Sequence, residues 1–314
     1  MKKIFGLIIM AAFLFNGCSG YLYTKKPPLE FNDIEYGYPT KKALKNPSIS
    51  YIDVGEGKQT IILVHGLASN AGFWRYNISE LAKHFRVIAV DLPGYGKSQK
   101  DYYIYNMTFF ADQIRRLADE LKLDKFIYVG HSMGGQIGLN FAMRYPERLE
   151  RLILASPAGF EEFEQGEGDW LRSVMTVPGV KKTSEEGIRK NLAMNFYTWS
   201  DKWEWMVEER VRMAKGKDFD DFSYAVVRSV NGMLDEPTYD KLNKITVPTL
   251  VIYGKYDGLI PNPYLNPGTT SEVFQKSKTK IPNCTFHQID NCGHMLQIEH
   301  PEEFNETVIN YMQQ

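Results

Sequence analysis

The feature that most constrains this chain is a regular alternation, from residue 48 onward, of β-rich apolar runs with amphipathic helical segments. The run TIILVH at 60–65 is almost wholly apolar, as expected of a strand covered on both faces. In NMTFFADQIRRLADELKL at 106–123, apolar residues recur with the spacing of a helix packed along one side. Alternating strands and helices predict the α/β class, with a mostly parallel, doubly wound sheet between helical layers.

Two local features refine this outline. Strand-like runs flank Gly55-Glu56-Gly57 and predict a β-hairpin there, and a helix is expected from about Gly72 to His84. Residues 158–240 lack strand-like alternation and contain four of the five tryptophans in the chain: Trp170, Trp199, Trp203 and Trp205. We therefore expect a helical cap, inserted before the last two strands, over the carboxyl edge of the sheet, where open α/β sheets bind ligands.

The first twenty residues, MKKIFGLIIMAAFLFNGCSG, have the pattern of a signal peptide: two lysines, an apolar run and then small residues. Gly17-Cys18 resembles the end of a bacterial lipobox, although Phe15 and Asn16 are unusual there. We expect cleavage before Cys18, lipidation of that cysteine and anchoring to a membrane of a bacterial cell envelope. Ser19 favours the periplasmic side of an outer membrane, where the cell has one. The alternative is an ordinary signal peptide.

The predicted organisation has four parts. They are a lipoprotein signal peptide (1–17), a tether and N-terminal arm (18–47), an α/β core (48–157 and 241–314) and the helical cap (158–240). Besides Cys18 the chain has only Cys284 and Cys292. The residues between them read as a strand that spans about 20 Å, whereas a disulfide needs Cα atoms within about 7 Å. We therefore expect two free thiols.

A serine lies between a predicted buried strand and a predicted helix, in FIYVGHSMGGQIG at 126–138. In this strand–turn–helix context the G-x-S-x-G spacing predicts a nucleophile elbow with Ser132 as the nucleophile. The glycines are expected because strand and helix approach closely there, and the N–H of Met133 is placed to donate to an oxyanion. The predicted elbow glycines are Gly130, Gly134 and Gly135.

Three further motifs follow predicted strands at the same edge of the sheet. In LVHGLASN at 63–70, Leu67 supplies the second oxyanion N–H, Gly66 allows close approach and His65 braces the loop. Asp257 follows the strand VIYGKYD, and His294 follows Gly293 in NCGH.

The chain order of serine, aspartate and histidine predicts a catalytic triad. In it, His294 moves the proton of Ser132 and Asp257 orients the imidazole. Asp290 is a less favoured alternative to Asp257.

These motifs, with DLPGYGKS at 91–98, GKYD at 254–257 and GHMLQIEHP at 293–301, resemble those of the α/β-hydrolase family over roughly residues 48–314. YPERLERLILASPAGF and NCGH look most like its monoacylglycerol lipase and carboxylesterase branch. One departure is the segment PNPYLNPGTTSEVFQ at 261–275, which is longer and richer in proline than usual. We expect it to reshape the rim of the pocket.

The resemblance implies a serine hydrolase that needs no cofactor. A formal net charge of −1 gives no broad basic field for nucleic acid, and no metal-ligand or phosphate-loop motif is present. The main prediction is an esterase or lipase acting on a small acyl ester, because a cap rich in Met and aromatic residues favours apolar acyl groups. The alternatives are a carbon–carbon bond hydrolase or perhydrolase on the same triad and, less favoured, a non-catalytic binding module. Acyl length and oligomeric state are not encoded in these motifs.

Overall fold

An eight-stranded sheet forms the centre of the computed structural model, which describes residues 22–314. The strands, in chain order, are β1 (Thr40–Ala43), β2 (Ile49–Val54), β3 (Thr60–Val64), β4 (Arg86–Val90), β5 (Phe126–His131), β6 (Leu149–Ala155), β7 (Thr249–Gly254) and β8 (Cys284–Ile289). Their order across the sheet is β1-β2-β4-β3-β5-β6-β7-β8. Strands β3 to β8 are parallel to one another, and β1 and β2 form an antiparallel edge.

Helices connect these strands and cover the sheet. The α-helices are α1 (Ile78–Leu81), α2 (Met107–Glu120), α3 (Met133–Arg144), α4 (Gln165–Val174), α5 (Val177–Lys181), α6 (Glu185–Ala193), α7 (Glu204–Met213), α8 (Phe219–Asp235), α9 (Thr270–Ser277), α10 (Leu296–Glu299) and α11 (Pro301–Met312). Short 3-10 helices cover Phe31–Asp33, Ala71–Trp74, Pro146–Arg148, Asp201–Trp203 and Tyr239–Lys244. Every residue of β3, β5 and β7 is buried, as expected for parallel strands between two layers. This confirms the predicted fold class.

The predicted hairpin at Gly55–Gly57 is wrong. Strands β2 and β3 do not pair with each other, because β4 lies between them in the sheet. The glycines serve a close approach instead: a Cβ on Gly55 would lie 2.3 Å from the carbonyl oxygen of Phe85, and one on Gly57 would lie 2.4 Å from that of His84. Strand β2 pairs antiparallel with β4 on one side and with β1 on the other, and β1 is a strand within the segment interpreted as an arm.

The helix expected from Gly72 to His84 is broken into the 3-10 turn at Ala71–Trp74 and the four-residue α1. The Asn70 side chain caps the first piece by accepting a hydrogen bond from the N–H of Gly72 at 2.9 Å. Asn77, between the pieces, donates from its side chain to the distant Gln297 carbonyl at 3.0 Å. This contact with a residue distant in the chain therefore stabilises the interruption between the two helical pieces.

Helices α4 to α8 lie between β6 and β7, where the sequence predicts the cap. Its tryptophans do not line the cavity beneath it. Trp203 is buried in a cluster with Phe73 and Met295 of the core, and Trp205 packs edge-on against Phe73 with ring centroids 5.4 Å apart. These aromatic side chains form the seam between cap and core.

The start of the N-terminal arm, ahead of β1, lies on the cap. The backbone N–H groups of Leu22, Tyr23 and Thr24 donate to the carboxylate of Glu185, at the start of α6, with distances of 2.9–3.4 Å. Further along the arm, the N–H of Leu29 donates to the carbonyl of Arg212 in α7 at 3.2 Å. Several backbone contacts thus attach the first described residues to two cap helices.

The predicted signal peptide and Cys18 lie outside the described residues. Within 22–314, no helix combines the length and the apolar character needed to cross a bilayer. Cys284 and Cys292 are both free thiols, as the strand between them predicts.

Candidate active site

Ser132 occupies a strained turn between β5 and α3. Its φ of 54° and ψ of −118° lie outside the regions that side-chain-bearing residues usually adopt. The close approach expected from the sequence is present: a Cβ on Gly130 would lie 2.3 Å from the Gly134 carbonyl oxygen, and one on Gly134 would lie 2.4 Å from that of Val64. Gly135 is pressed in the same way against a proline ring. The local geometry is that of a nucleophile elbow.

The two predicted oxyanion donors flank this serine. Met133 is the first residue of α3, and Leu67 lines the cavity beside Ser132. Among residues 22–314, neither backbone N–H donates a hydrogen bond to another protein group. Gly66 brings the Leu67 loop close to the elbow, since a Cβ there would lie 3.0 Å from the Cβ of Ser132. Both donors are thus free to bind a negative oxygen.

His65 braces this loop, as expected, and lies outside the cavity lining. Its Nε2 accepts a hydrogen bond from the Leu92 N–H at 3.1 Å, so the proton must be on Nδ1. Nδ1 then donates to the carbonyl oxygen of Gly66 at 2.7 Å. Complete burial lowers the pKa of His65 to about 4, which keeps the imidazole neutral.

Asp257 and His294 meet where β7 and β8 end. His294 Nδ1 lies 2.7 Å from Asp257 Oδ2, and both side chains are almost completely buried. The other carboxylate oxygen, Oδ1, accepts the N–H groups of Leu259 at 2.8 Å and Ile260 at 3.1 Å. These bonds hold the carboxylate in one orientation, so the His294 ring is fixed with Nδ1 toward it.

Ser132 and His294 line the same cavity, but the structure forms no hydrogen bond between Ser132 Oγ and His294 Nε2. Such contacts often form only when substrate is bound. The described residues therefore bring together the serine, the histidine and the aspartate, with the serine–histidine contact still open.

Asp290 is not positioned to replace Asp257. It is exposed and pairs with Lys255 at 3.2 Å, away from His294. The alternative acid considered from the sequence is therefore excluded by its position.

His131 is a site residue that the sequence motif did not reveal. Its Nε2 lies 2.9 Å from the backbone carbonyl of His294, and the two imidazole centroids are 4.8 Å apart. Burial, followed by the charge of His294, lowers the pKa of His131 well below its ordinary value, so the ring is neutral and donates to that carbonyl. His131 thus positions the loop that carries His294, residues 290–295, which we call the histidine loop.

A second unpredicted group ties the histidine loop to the cap. The carboxylate of Glu299 accepts the N–H of Gly293 at 2.8 Å and the N–H of Tyr197, a cap residue, at 2.9 Å. The His294 N–H donates to the cap carbonyl of Asn195 at 2.7 Å. The sequence signal for this contact is weak: a single charged residue, Glu299, at the end of the short turn Leu296–Glu299.

Beneath the cap lies a cavity of about 460 Å³, of the size that holds small organic ligands. Its walls are mostly aliphatic and thioether side chains, including Leu171, Met175, Met233 and Ile260. Asn262, Pro263 and Tyr264 line it as well, so part of the proline-rich segment faces the cavity. No lysine or arginine of the described chain lines it, and Glu161 is its only carboxyl group. Residues 22–314 contain no cluster of side chains suited to a metal ion.

Comparison with known proteins identifies the family. The sequence profile of the alpha/beta hydrolase fold matches residues 59–301, and the chain belongs to the α/β-hydrolase family.

One relative, 28% identical over 85% of this chain and 91% of its own length, is the 2-hydroxy-6-oxononadienedioate/2-hydroxy-6-oxononatrienedioate hydrolase of Paraburkholderia phymatum. Another, 30% identical over 83% of this chain and 86% of its own length, is the 2-hydroxy-6-oxo-6-(2'-aminophenyl)hexa-2,4-dienoic acid hydrolase of Metapseudomonas resinovorans. A solved structure of a probable hydrolytic enzyme from Pseudomonas aeruginosa superposes with a TM-score of 0.77 at 27% identity, over 90% of this chain and 98% of that one.

These relatives make the chain a hydrolase. The names of the two relatives refer to unsaturated carboxylic acids with a 6-oxo group, and the bond that water cleaves beside such a ketone is a carbon–carbon bond. For the bond that is cleaved, the comparisons therefore favour the carbon–carbon alternative over the main prediction of ester hydrolysis.

Proposed function

We propose that the protein is a serine hydrolase that cleaves carboxylic esters with uncharged, largely apolar acyl groups. The observation that carries this proposal is the pairing of an elbow serine with a cavity whose walls are mostly apolar and, among the described residues, include no lysine or arginine. Transfer of an uncharged acyl chain from water into such a cavity is favourable, because apolar surface is buried. A carboxylate would lose its hydration there without finding a cationic partner.

The reaction on this site proceeds through an acyl-enzyme. Ser132 Oγ attacks the ester carbonyl while His294 Nε2 takes its proton, and the resulting oxyanion accepts hydrogen bonds from the N–H groups of Leu67 and Met133. The tetrahedral intermediate collapses, and His294 returns the proton to the departing alcohol. Water, deprotonated by His294, then attacks the acyl-enzyme carbonyl. The bond to Ser132 Oγ breaks, His294 returns the proton to Oγ, and the acid is released. Asp257 accepts the hydrogen bond from His294 Nδ1–H throughout, without taking the proton, and stabilises the imidazolium that forms.

A carbon–carbon bond hydrolase is the second candidate, and the names of the relatives favour it. The same serine and oxyanion donors would serve a ketone carbonyl. The dienedioate named for the first relative carries two carboxylates, however. The described cavity offers them polar atoms of Ser69, Asn195 and Asn262 but no cation. This difference in substrate charge separates the two candidates.

The test measures purified protein on both substrate classes. One arm uses p-nitrophenyl esters from acetate to palmitate, and the other follows the absorbance of a 2-hydroxy-6-oxo dienoate. We expect turnover of the esters that Ser132→Ala abolishes and that Ser79→Ala, an exposed serine on α1, leaves unchanged. Faster turnover of the dienoate than of every ester would replace the ester proposal by the carbon–carbon one. Ester turnover that survives in Ser132→Ala would contradict both candidates.

We also propose that the chain is exported and anchored through a lipid on Cys18. The support is the sequence alone, with a short apolar run that ends at Gly17-Cys18. Metabolic labelling with a fatty-acid analogue is expected to modify the natural chain and not Cys18→Ala, which should leave the membrane fraction. Release of an unlabelled natural chain would instead identify an ordinary signal peptide.

A further inference from the structure

Glu161 is a polar group that the catalytic mechanism does not use. It lies between β6 and α4, half-buried, and lines the cavity that contains Ser132 and His294. One carboxyl oxygen, Oε2, accepts the backbone N–H of Asn262 at 2.8 Å and the side-chain amide of Asn266 at 3.2 Å. Both donors belong to the proline-rich segment that departs from the family pattern. The carboxyl group is thus held in place by one of its two oxygens.

The other oxygen, Oε1, has no hydrogen-bond partner among residues 22–314. The surrounding wall is apolar, with Phe163, Leu171 and Pro263 among the lining residues. The buried guanidinium groups of the described chain, Arg75 and Arg210, do not line the cavity, so the carboxyl group has no cation there. The carboxyl group therefore keeps one acceptor oxygen that no described protein group uses, on a residue that lines the cavity.

The environment also affects the charge of Glu161. Burial, with a smaller contribution from the negative charge of Asp257, raises its pKa to about 7, against the bonds from Asn262 and Asn266 that lower it. A second carboxylate brought into this cavity would be repelled by the ionised form. A hydroxyl group would instead find an acceptor in either protonation state.

We propose that Glu161 forms a polar subsite of the substrate cavity, which accepts a hydrogen bond from a hydroxyl group of the substrate and rejects substrates that carry a carboxylate. This inference rests on the proposed ester hydrolysis and narrows its substrate class to neutral, hydroxyl-bearing esters such as partial esters of a polyol. Glu161 acts in selection and takes no part in bond cleavage.

The Glu161→Gln variant isolates this role. The glutamine oxygen can accept the same bonds from Asn262 and Asn266, which turns its NH₂ group toward the cavity and replaces an acceptor by a donor. Glu162→Gln is the matched control, because Glu162 is exposed and its side chain does not line the cavity.

The experiment compares kcat/KM for three esters of similar size at pH 8.5, above the pKa of Glu161. All three are butyrate esters that differ only in the alcohol part: monobutyryl glycerol, propyl butyrate and the butyrate ester of 3-hydroxypropanoic acid. In the natural protein we expect the glycerol ester to be preferred over propyl butyrate, and the ester that carries a carboxylate to be disfavoured. Glu161→Gln should reduce each preference about tenfold, the effect of losing one hydrogen bond or one repulsion of ordinary strength. Glu162→Gln should leave both ratios unchanged.

An equal change for all three esters in Glu161→Gln would overturn the proposal, because it would show that the residue only supports its loop. Unaltered ratios would overturn it as well. If the natural protein hydrolyses none of the esters, the ester proposal fails, and the subsite is tested by labelling of Ser132 with an alkyl and an ω-carboxyalkyl fluorophosphonate. The subsite still requires Glu161→Gln to raise the relative labelling rate of the carboxyalkyl probe about tenfold. If neither probe labels Ser132, both the ester proposal and the subsite proposal are overturned.

Discussion

The two ends of the cavity are built by different means. At the elbow, backbone atoms set the geometry. They pack so closely against Gly130 and Gly134 that neither position has room for the methyl group of an alanine. At the cap, side chains such as Met175 and Met233 form the wall, and thioethers adapt to different shapes. The difference suggests a division of labour, in which the elbow end fixes the rate of bond cleavage and the cap end decides which substrate enters.

The largest effect is expected at the rigid end, from Asp257→Asn. The oxygen of the asparagine must keep accepting the N–H groups of Leu259 and Ile260, so its NH₂ group will face His294 Nδ1. The imidazole then carries its proton on Nε2, the wrong tautomer for accepting the Ser132 proton. We expect kcat to fall by about four orders of magnitude with KM nearly unchanged. A loss below tenfold in steady-state kinetics would show that Asp257 does not orient His294.

The next effect tests whether the two ends are separable, through Gly293→Ala. The new Cβ would lie 2.6 Å from the N of Tyr197 and 2.7 Å from the carbonyl oxygen of Asn195, so the cap backbone must move away from the histidine loop. A displacement of this size is expected to lower kcat about a hundredfold.

The matched control for this prediction is Gly166→Ala in α4, where a Cβ meets nothing within 4 Å. It should retain full activity and gain roughly 0.5–1 kcal/mol in the free energy of unfolding. Equal activity of the two variants would mean that the cap does not position His294.

The same contrast explains which parts of the site the sequence could predict. The elbow, the Leu67 loop and the order of Ser132, Asp257 and His294 follow from short motifs, because strands that end at one sheet edge bring their loops together. The groups from Asn195, Glu299 and Glu161 depend on how the cap meets the core, and no local pattern encodes that contact. The wrong hairpin prediction also reflects a non-local contact, because β4, which comes later in the chain, lies between β2 and β3 in the sheet.

A smaller effect concerns stability at the cap end. The pKa of Glu161 is raised from 4.5 to about 7, so between these values the folded chain keeps a proton that the unfolded chain has lost. Stability therefore falls as the pH rises through this interval. Glu161→Gln should remove this loss and raise the free energy of unfolding by roughly 1–2 kcal/mol at pH 8, and by less at pH 5. Urea denaturation at both pH values measures the difference, and an equal shift at both would contradict the raised pKa.

The smallest effect is expected from Asp290→Asn, because Asp290 lies at neither the elbow end nor the cap end of the cavity. This carboxylate is exposed and pairs only with Lys255 among its charged neighbours, and exposed pairs contribute about 0–1 kcal/mol. Activity should stay within about twofold of the natural protein. A loss comparable to that of Asp257→Asn would reassign the acid of the triad.

The attachment of the arm to Glu185 has a mechanical consequence. The first described residues are fastened to α6 and α7 and make no comparable contact with the central strands near their start. A force applied to the chain before Leu22 would therefore act on the cap before it acts on the sheet. If Cys18 is lipidated as proposed, the membrane anchor would be coupled mechanically to the cap, and only through the cap to the strands that carry the catalytic residues.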